Sequence, residues 1–211
     1  RDNVEIIGLL LGAGANFDSR DEKGLTALHI ASERGNPLTI EVLLEVGANV
    51  MARDEDGFTP LHHATSYRRN NDPAQKSETI KFLIQKGADL MALSKDGSTP
   101  LHSAASEGHP QIILTLLAVG ADPKARTNEG YTPWQLAKKN KRVRDTRIYW
   151  VLNEAQYDSL RGTSPAVLEM LQLNIDINKL VLERSVSAAT TEIDKNRDAL
   201  NDYENALLGA A

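Results

Sequence analysis

The chain has 211 residues, 41% apolar and 25% charged, and a net charge of −5 from 24 basic and 29 acidic side chains. That length suits one elongated domain or one domain with an appendage, and ordinary globular usage argues against a fibrous or wholly disordered chain. The charge gives no global attraction to nucleic acid or anionic membrane and mildly favours a basic partner. With no cysteine, disulfides, thiolate metal sites and a Cys nucleophile are excluded.

No apolar run approaches the roughly 18 residues of a membrane span, and Arg1-Asp2-Asn3-Val4-Glu5 carries no apolar signal region. Because the chain does not begin with Met, it reads as a processed or excised piece. The expectation is a soluble, cytoplasmic protein, with a secreted or effector-type role left open.

Two markers recur through the first two-thirds of the chain. Gly14-Ala15-Asn16, Gly47-Ala48-Asn49, Gly87-Ala88-Asp89 and Gly120-Ala121-Asp122 follow one another at 33, 40 and 33 residues. Gly24-Leu25-Thr26-Ala27-Leu28-His29, Gly57-Phe58-Thr59-Pro60-Leu61-His62, Gly97-Ser98-Thr99-Pro100-Leu101-His102 and Gly130-Tyr131-Thr132-Pro133-Trp134-Gln135 keep the same spacing. Such self-similarity marks a chain built from repeated supersecondary units.

Taken in chain order, the first copy starts at the turn between its two helices, so only its second helix is expected, carrying Ile6, Leu9, Leu10 and Leu11. Upstream sequence is expected to supply the other. In the second copy Thr26 opens a helix, and Ile40, Val42, Leu43 and Leu44 form the apolar stripe of the next, which stops at Gly47, where a left-handed backbone is cheap. Elsewhere Thr-Pro opens the first helix, since Pro is tolerated in a first turn. Ile80, Phe82, Leu83 and Ile84 form the third stripe, and Ile112, Ile113, Leu116 and Leu117 the fourth. The third copy carries seven extra residues within Tyr67 to Ser77 and lacks the turn glycine found at Gly35 and Gly108. That loop reads as a functional candidate or, with somewhat more weight, a tolerated surface insertion.

A 33-residue period with Thr-Pro-Leu-His resembles the ankyrin repeat over residues 1 to about 140. The resemblance implies an all-α ankyrin-repeat solenoid of helix pairs with hairpin loops, followed by a C-terminal helical segment. The segment from Tyr131 to Ala155 is similar to a closing module of bacterial ankyrin proteins. The domain is read as residues 1–158, with 141–158 as a capping helix, because a solenoid's terminal unit must be covered.

Leu160 to Pro165 breaks that helix. Over 166–208, Leu168, Leu171, Ile175, Asn178 and Leu182, then Val186, Ala189, Ile193, Asn196, Leu200, Tyr203 and Leu207, follow a coiled-coil-like spacing with a four-residue step at 182 to 186. Leu171 to Asn178 also alternates as a half-buried strand would. Helix is the expectation, with a hairpin, a second copy or another protein as its partner. Asn196 on the seam would fix register or partner number.

The resemblance gives His29, His62 and His102 a structural hydrogen-bonding role. His63 and His109 lack two further ligands at suitable spacing, so no metal is expected. Asp21-Glu22 and Asp54-Glu55-Asp56 fall at hairpin tips and read as solvated, partner-facing acids. Gly12-Ala13-Gly14-Ala15 is a helix stop, and no phosphate loop or serine elbow occurs. The basic run of Lys138, Lys139, Lys141, Arg142, Arg144 and Arg147 is broken by Asp145 and lacks interleaved aromatics, so it reads as a solvated helix end.

The reading is therefore a non-enzymatic protein-interaction module with no cofactor and no evident small-molecule substrate. Nucleic acid is an unfavoured partner. The ankyrin resemblance maps the partner surface onto Glu22, Lys23, Leu25, Glu33 and Arg34, then Arg53, Glu55, Asp56, Phe58 and Tyr67. It continues through Lys95, Asp96, Ser98 and Glu107 to Arg126, Asn128, Glu129 and Tyr131. Phe58, Tyr67 and Tyr131 are the expected anchors. Rival readings are a targeting part of a larger protein whose catalytic domain lies elsewhere, and an oligomeric scaffold joined through 166–208.

Overall fold

The computed structural model describes residues 4–68 and 71–157. Contacts divide the chain into two units, Arg1–Thr163 and Ser164–Ala211, and every described residue belongs to the first. The helical segment expected over 166–208, its strand-like alternative and its role in self-association lie outside the described residues.

Helices occupy α1 (Val4–Gly12), α2 (Ala27–Arg34), α3 (Pro37–Glu45), α4 (Pro60–Thr65), α5 (Pro73–Gln85), α6 (Pro100–Glu107), α7 (Pro110–Ala118), α8 (Pro133–Ala137) and α9 (Arg147–Tyr157). Among the described residues there is no strand, and the architecture is an all-α repeat solenoid. First helices α2, α4, α6 and α8 stack in one row, and second helices α1, α3, α5, α7 and α9 in another, each pair also packing internally.

Local chemistry starts the helices where the repeat predicts. Pro occupies the first turn of α3 through α8, where no intrahelical N–H is needed. Asn36, Asp72 and His109 accept from backbone N–H groups at the starts of α3, α5 and α7. The core follows the stripes. Leu28, Ile40, Leu61, Ile80, Leu83, Leu101, Ile112, Ile113 and Leu116 are all essentially buried, and Ala31, Ala64 and Ala104 let neighbouring first helices approach closely. In α1 the stripe departs from this: Ile6, Leu9 and Leu10 are exposed by 50%, 74% and 55%, because α1 packs on α3 without a first helix of its own pair among the described residues.

The tips between pairs are hairpin-like. One backbone bond closes each, as from Asp54 N to Phe58 O (3.0 Å), and one joins each to the next: Glu55 N to Lys23 O (3.0 Å), Lys95 N to Asp56 O (2.9 Å) and Asn128 N to Asp96 O (2.9 Å).

The insertion in the third copy is only partly a loop. α5 has 13 residues where α3 and α7 have nine, so four of the extra residues extend the helix at its start. That extension carries Lys76, fully buried, whose Nζ donates to the carbonyls of Ser32 (3.1 Å), Glu33 (2.6 Å) and His63 (3.4 Å). Asn71 adds a bond from Nδ2 to Arg34 O (3.2 Å). The insertion thus adds cationic and amide donors at the ends of α2 and α4, where Ser32 O and His63 O also accept from the cap N–H groups of Gly35 and Ser66. Gly35, left-handed at φ 71°, leaves the room: a Cβ there would lie 2.8 Å from Lys76 Cδ. Gly108 serves differently, with extended backbone and a would-be Cβ 2.4 Å from Ala104 O.

The closing helix expected over 141–158 begins at Arg147. Residues 141–146 form turns instead, held by Val143 and Arg144 N–H donating to Asn140 O (3.0 and 2.9 Å). Asn140 Nδ2 bonds Ala105 O and Gly108 O, both at 3.1 Å, doing for α6 what Lys76 does for α2.

Two outcomes test this packing. Leu61→Ala or Leu101→Ala should each lower unfolding free energy in urea by about 2 to 5 kcal/mol, because each leaves a cavity between stacked pairs. Burial, opposed by the nearby Glu33 carboxylate, pushes Lys76 from 10.5 down to about 8. The folded state then releases its proton before the unfolded one, so stability relative to Lys76→Met should rise between about pH 8 and pH 10.5. A urea-midpoint difference that stays flat across that window would place Lys76 in solvent.

Candidate functional site

Three first helices, α2, α4 and α6, are each fixed to the next copy through one side chain. In the second to fourth copies the N-cap Thr (Thr26, Thr59, Thr99) donates its N–H to Nδ1 of His29, His62 or His102, at 3.1, 3.2 and 3.1 Å. Accepting there forces the ring proton onto Nε2, which points to the next copy: His29 to Ala52 O (3.1 Å) and Phe58 O (3.2 Å), His62 to Ser98 O (3.0 Å) and His102 to Tyr131 O (3.0 Å). Burial pushes all three imidazoles down, His62 to about 4, so they are neutral at neutral pH. In the fifth copy Gln135 Oε1 takes the capping role, accepting from Thr132 N at 2.8 Å.

A groove of about 620 Å³ runs over these helices, lined by Glu33 from α2, Phe58, His62, His63, Thr65, Ser66, Tyr67 and Arg68 from the third copy, Asp96, Ser98, His102, Ser103, Ser106 and Glu107 from the fourth, and Leu136 from α8. Of the sequence-derived candidates it gathers Glu33, Phe58, Tyr67, Asp96, Ser98 and Glu107. Glu22, Lys23, Glu55, Asp56, Lys95, Asn128, Glu129 and Tyr131 stand exposed on the hairpin tips, Arg34 is exposed at the end of α2, and Leu25 is half-buried.

Several candidates differ from their expected state. Ser98 is buried on the floor of the groove, its hydroxyl donating to Asp96 Oδ2 at 2.9 Å. Phe58 and Tyr67 are half-buried, Phe58 edge-on to His62 with ring centroids 5.3 Å apart and Tyr67 tilted on His109 at 4.9 Å, leaving Tyr131, 46% exposed, as the open aromatic. Arg53 and Arg126 spend guanidinium N–H on the carbonyls of Gly57 (3.1 Å) and Gly130 (2.7 Å), and Arg53 also on Leu93 O. Arg20, which the sequence reading passed over, does the same to Gly24 O (3.0 Å) and Arg53 O (2.5 Å); its place 33 residues before Arg53 was the available signal. Asn128 Nδ2 is bonded to Lys95 O at 2.9 Å.

The tip acids are not all solvated. Asp54 Oδ1 accepts from Asp56 N (3.0 Å) and Phe58 N (2.8 Å), while Oδ2 meets His63 Nε2 at 2.8 Å, tying tip to helix. Asp21 holds its own tip through Lys23 N and Leu25 N, both 2.9 Å. Burial alone would raise the Asp96 carboxyl, but donation from the Ser94 and Ser98 hydroxyls and Ser98 N–H holds it below the usual carboxylate value. Glu33 pairs with Arg68 across the groove. Among the described residues no group of three His, Asp or Glu is placed to hold a metal ion, and no helix is long and apolar enough to cross a membrane.

The repeat geometry has a counterpart in known sequence families. The family model described as ankyrin repeats (3 copies) matches residues 1–90, and a second, ankyrin repeats (many copies), matches residues 83–137. The chain belongs to the ankyrin-repeat family. A comparison with curated proteins finds no match. Ankyrin repeats are generally protein–protein interaction modules and typically non-catalytic. In this ankyrin-repeat chain the first-helix groove and the tips vary in chemistry between copies, while the Thr that caps each first helix does not.

The bridging imidazoles give a test. His62 binds its proton less readily folded than unfolded, so its contribution is complete above about pH 6.5 and is lost as pH falls through about 4. His62→Gln keeps the cap but loses the reach to Ser98 O, so it should cost about 1 to 3 kcal/mol at pH 7. Its melting temperature should then fall less steeply than wild type between pH 6.5 and 4, and an unchanged slope would assign the acid sensitivity to another group.

Proposed function

We propose that the chain recognises a partner protein through the concave groove over α4 and α6, with the exposed tips as a polar rim. The observation that carries this is unspent hydrogen-bonding capacity: Ser103, Ser106 and Glu107 line the groove, and no hydrogen bond of their side chains is found among the described residues. Around them the imidazoles and Asp54 are committed internally. An open face with a fixed frame and free polar groups along α6 suits a protein segment better than a small enclosed ligand. Tyr131 and Phe58 supply rim contact, and no nucleophile paired with a base is needed for such a role.

A photoreactive amino acid placed at Glu107 or Tyr131 should cross-link the partner from a lysate of the source cells, whereas one at Leu38, exposed on α3, should not. Once that partner is in hand, Glu107→Ala with Tyr131→Ala should weaken its binding by about 2 kcal/mol or more with little change in melting. Cross-linking from Leu38 alone would move recognition to the second-helix row.

A further inference from the structure

The turns that join first to second helices lie at the opposite ends of the first helices from the hairpin tips, and their chemistry is different. Residues 138–147 hold six basic side chains and one acidic, a net of +5; the whole chain is −5, so the remainder carries −10. Lys138, Lys139, Lys141, Arg142 and Arg144 are exposed, and among the described residues the one ion pair in this stretch is Arg144 with Asp145 at 3.4 Å. Charge this segregated on a chain of opposite net sign creates a local field that the rest of the surface does not share.

The turn is also built to hold its shape. Val143 is fully buried, and Asn140, 5% exposed, is bonded to Ala105 O and Gly108 O. Aromatic rings, one from the preceding helix and one from the third copy, steady two of the cations: Lys138 Nζ lies 4.1 Å from the Trp134 ring centre, and the Arg142 guanidinium lies 5.4 Å from that of Tyr67, which itself packs on His109. Tyr67, His109, Pro110, Arg142 and Thr146 line an open cleft of about 550 Å³ beside the turn. His109, lowered first by burial and then by Arg142, adds no competing charge of its own at neutral pH.

We infer that this anchored basic turn, with the cleft beside it, is a second docking surface for an acidic segment of a partner protein, sharing Tyr67 with the groove but carrying its own cations. Carboxylates match exposed, pre-positioned ammonium and guanidinium groups, and pre-positioning reduces the ordering cost of forming the contacts. Nucleic acid fits less well, because the Trp134 and Tyr67 rings bordering the turn are occupied by Lys138, Arg142 and His109 instead of offering open faces to bases.

The probe is a fluorescent twelve-residue peptide rich in Glu and Asp, titrated by anisotropy against the full chain at physiological salt, with a Gln/Asn version as control. The acidic peptide alone should bind. Lys138→Gln, Lys141→Gln and Arg142→Gln combined should weaken it about tenfold with melting unchanged. Neutralising Lys81, Lys86 and Lys124 together, away from the turn, should leave binding as it was. An equal loss in that control set would reduce the effect to net charge and overturn the proposal. So would no binding by the wild-type chain, or a single-stranded thymidine oligonucleotide binding more tightly than the peptide and depending on the same three residues. Wild-type self-association by light scattering that the triple change abolishes would make a second copy the occupant, and would overturn it too.

Discussion

A buried imidazole that accepts a hydrogen bond at one nitrogen and donates at the other cannot serve two helices unless both partners are held at fixed separation, and three of the repeats rely on that condition. Thr59 N–H on His62 Nδ1 starts α4, and His62 Nε2 on Ser98 O fixes where the next tip begins. The same two-ended arrangement at His29 and His102 sets the spacing of neighbouring pairs. The alanines between first helices, the tip-to-tip backbone bonds and the groove floor all depend on that spacing. Because burial keeps these rings neutral, the frame adds no charge to the surface it carries.

The same short stretches both hold this frame and line the groove. Asp54 serves the frame with both oxygens: one closes its tip and the other orients His63 at the edge of the groove. Glu107, on the last turn of α6, has no such duty. The basic turn after α8 stands apart from both, held by Asn140 and Val143 from beneath while its cations face outward.

The repeat period, the helix starts at Thr-Pro and the buried Leu and Ile positions were legible in the sequence because each is a local rule repeated at one spacing. What was not legible was long-range. Lys76 is a charged residue in a polar-looking insertion, and nothing in its neighbours announces that it reaches back 44 residues to the end of α2. Asn140 is similar, reaching 35 residues back to Ala105. The candidate surface was read position by position, which placed Ser98, Phe58 and Tyr67 outward. The fold instead turned Ser98 onto Asp96 and leaned the two rings on His62 and His109. The basic run looked bare of aromatics because Tyr67 comes from two repeats earlier.

The bridging series also has an end. Gln135 caps α8 through its Oε1, which accepts from Thr132 N and so reproduces the first half of the link. Pulled from its two ends, a stack joined only through neighbours would carry tension in series, each His-to-carbonyl link acting as a separate rivet. The three imidazole rivets run from α2 to the tip before α8, so the groove over α4 and α6 lies inside the riveted stretch and would stay closed while the load passed along it.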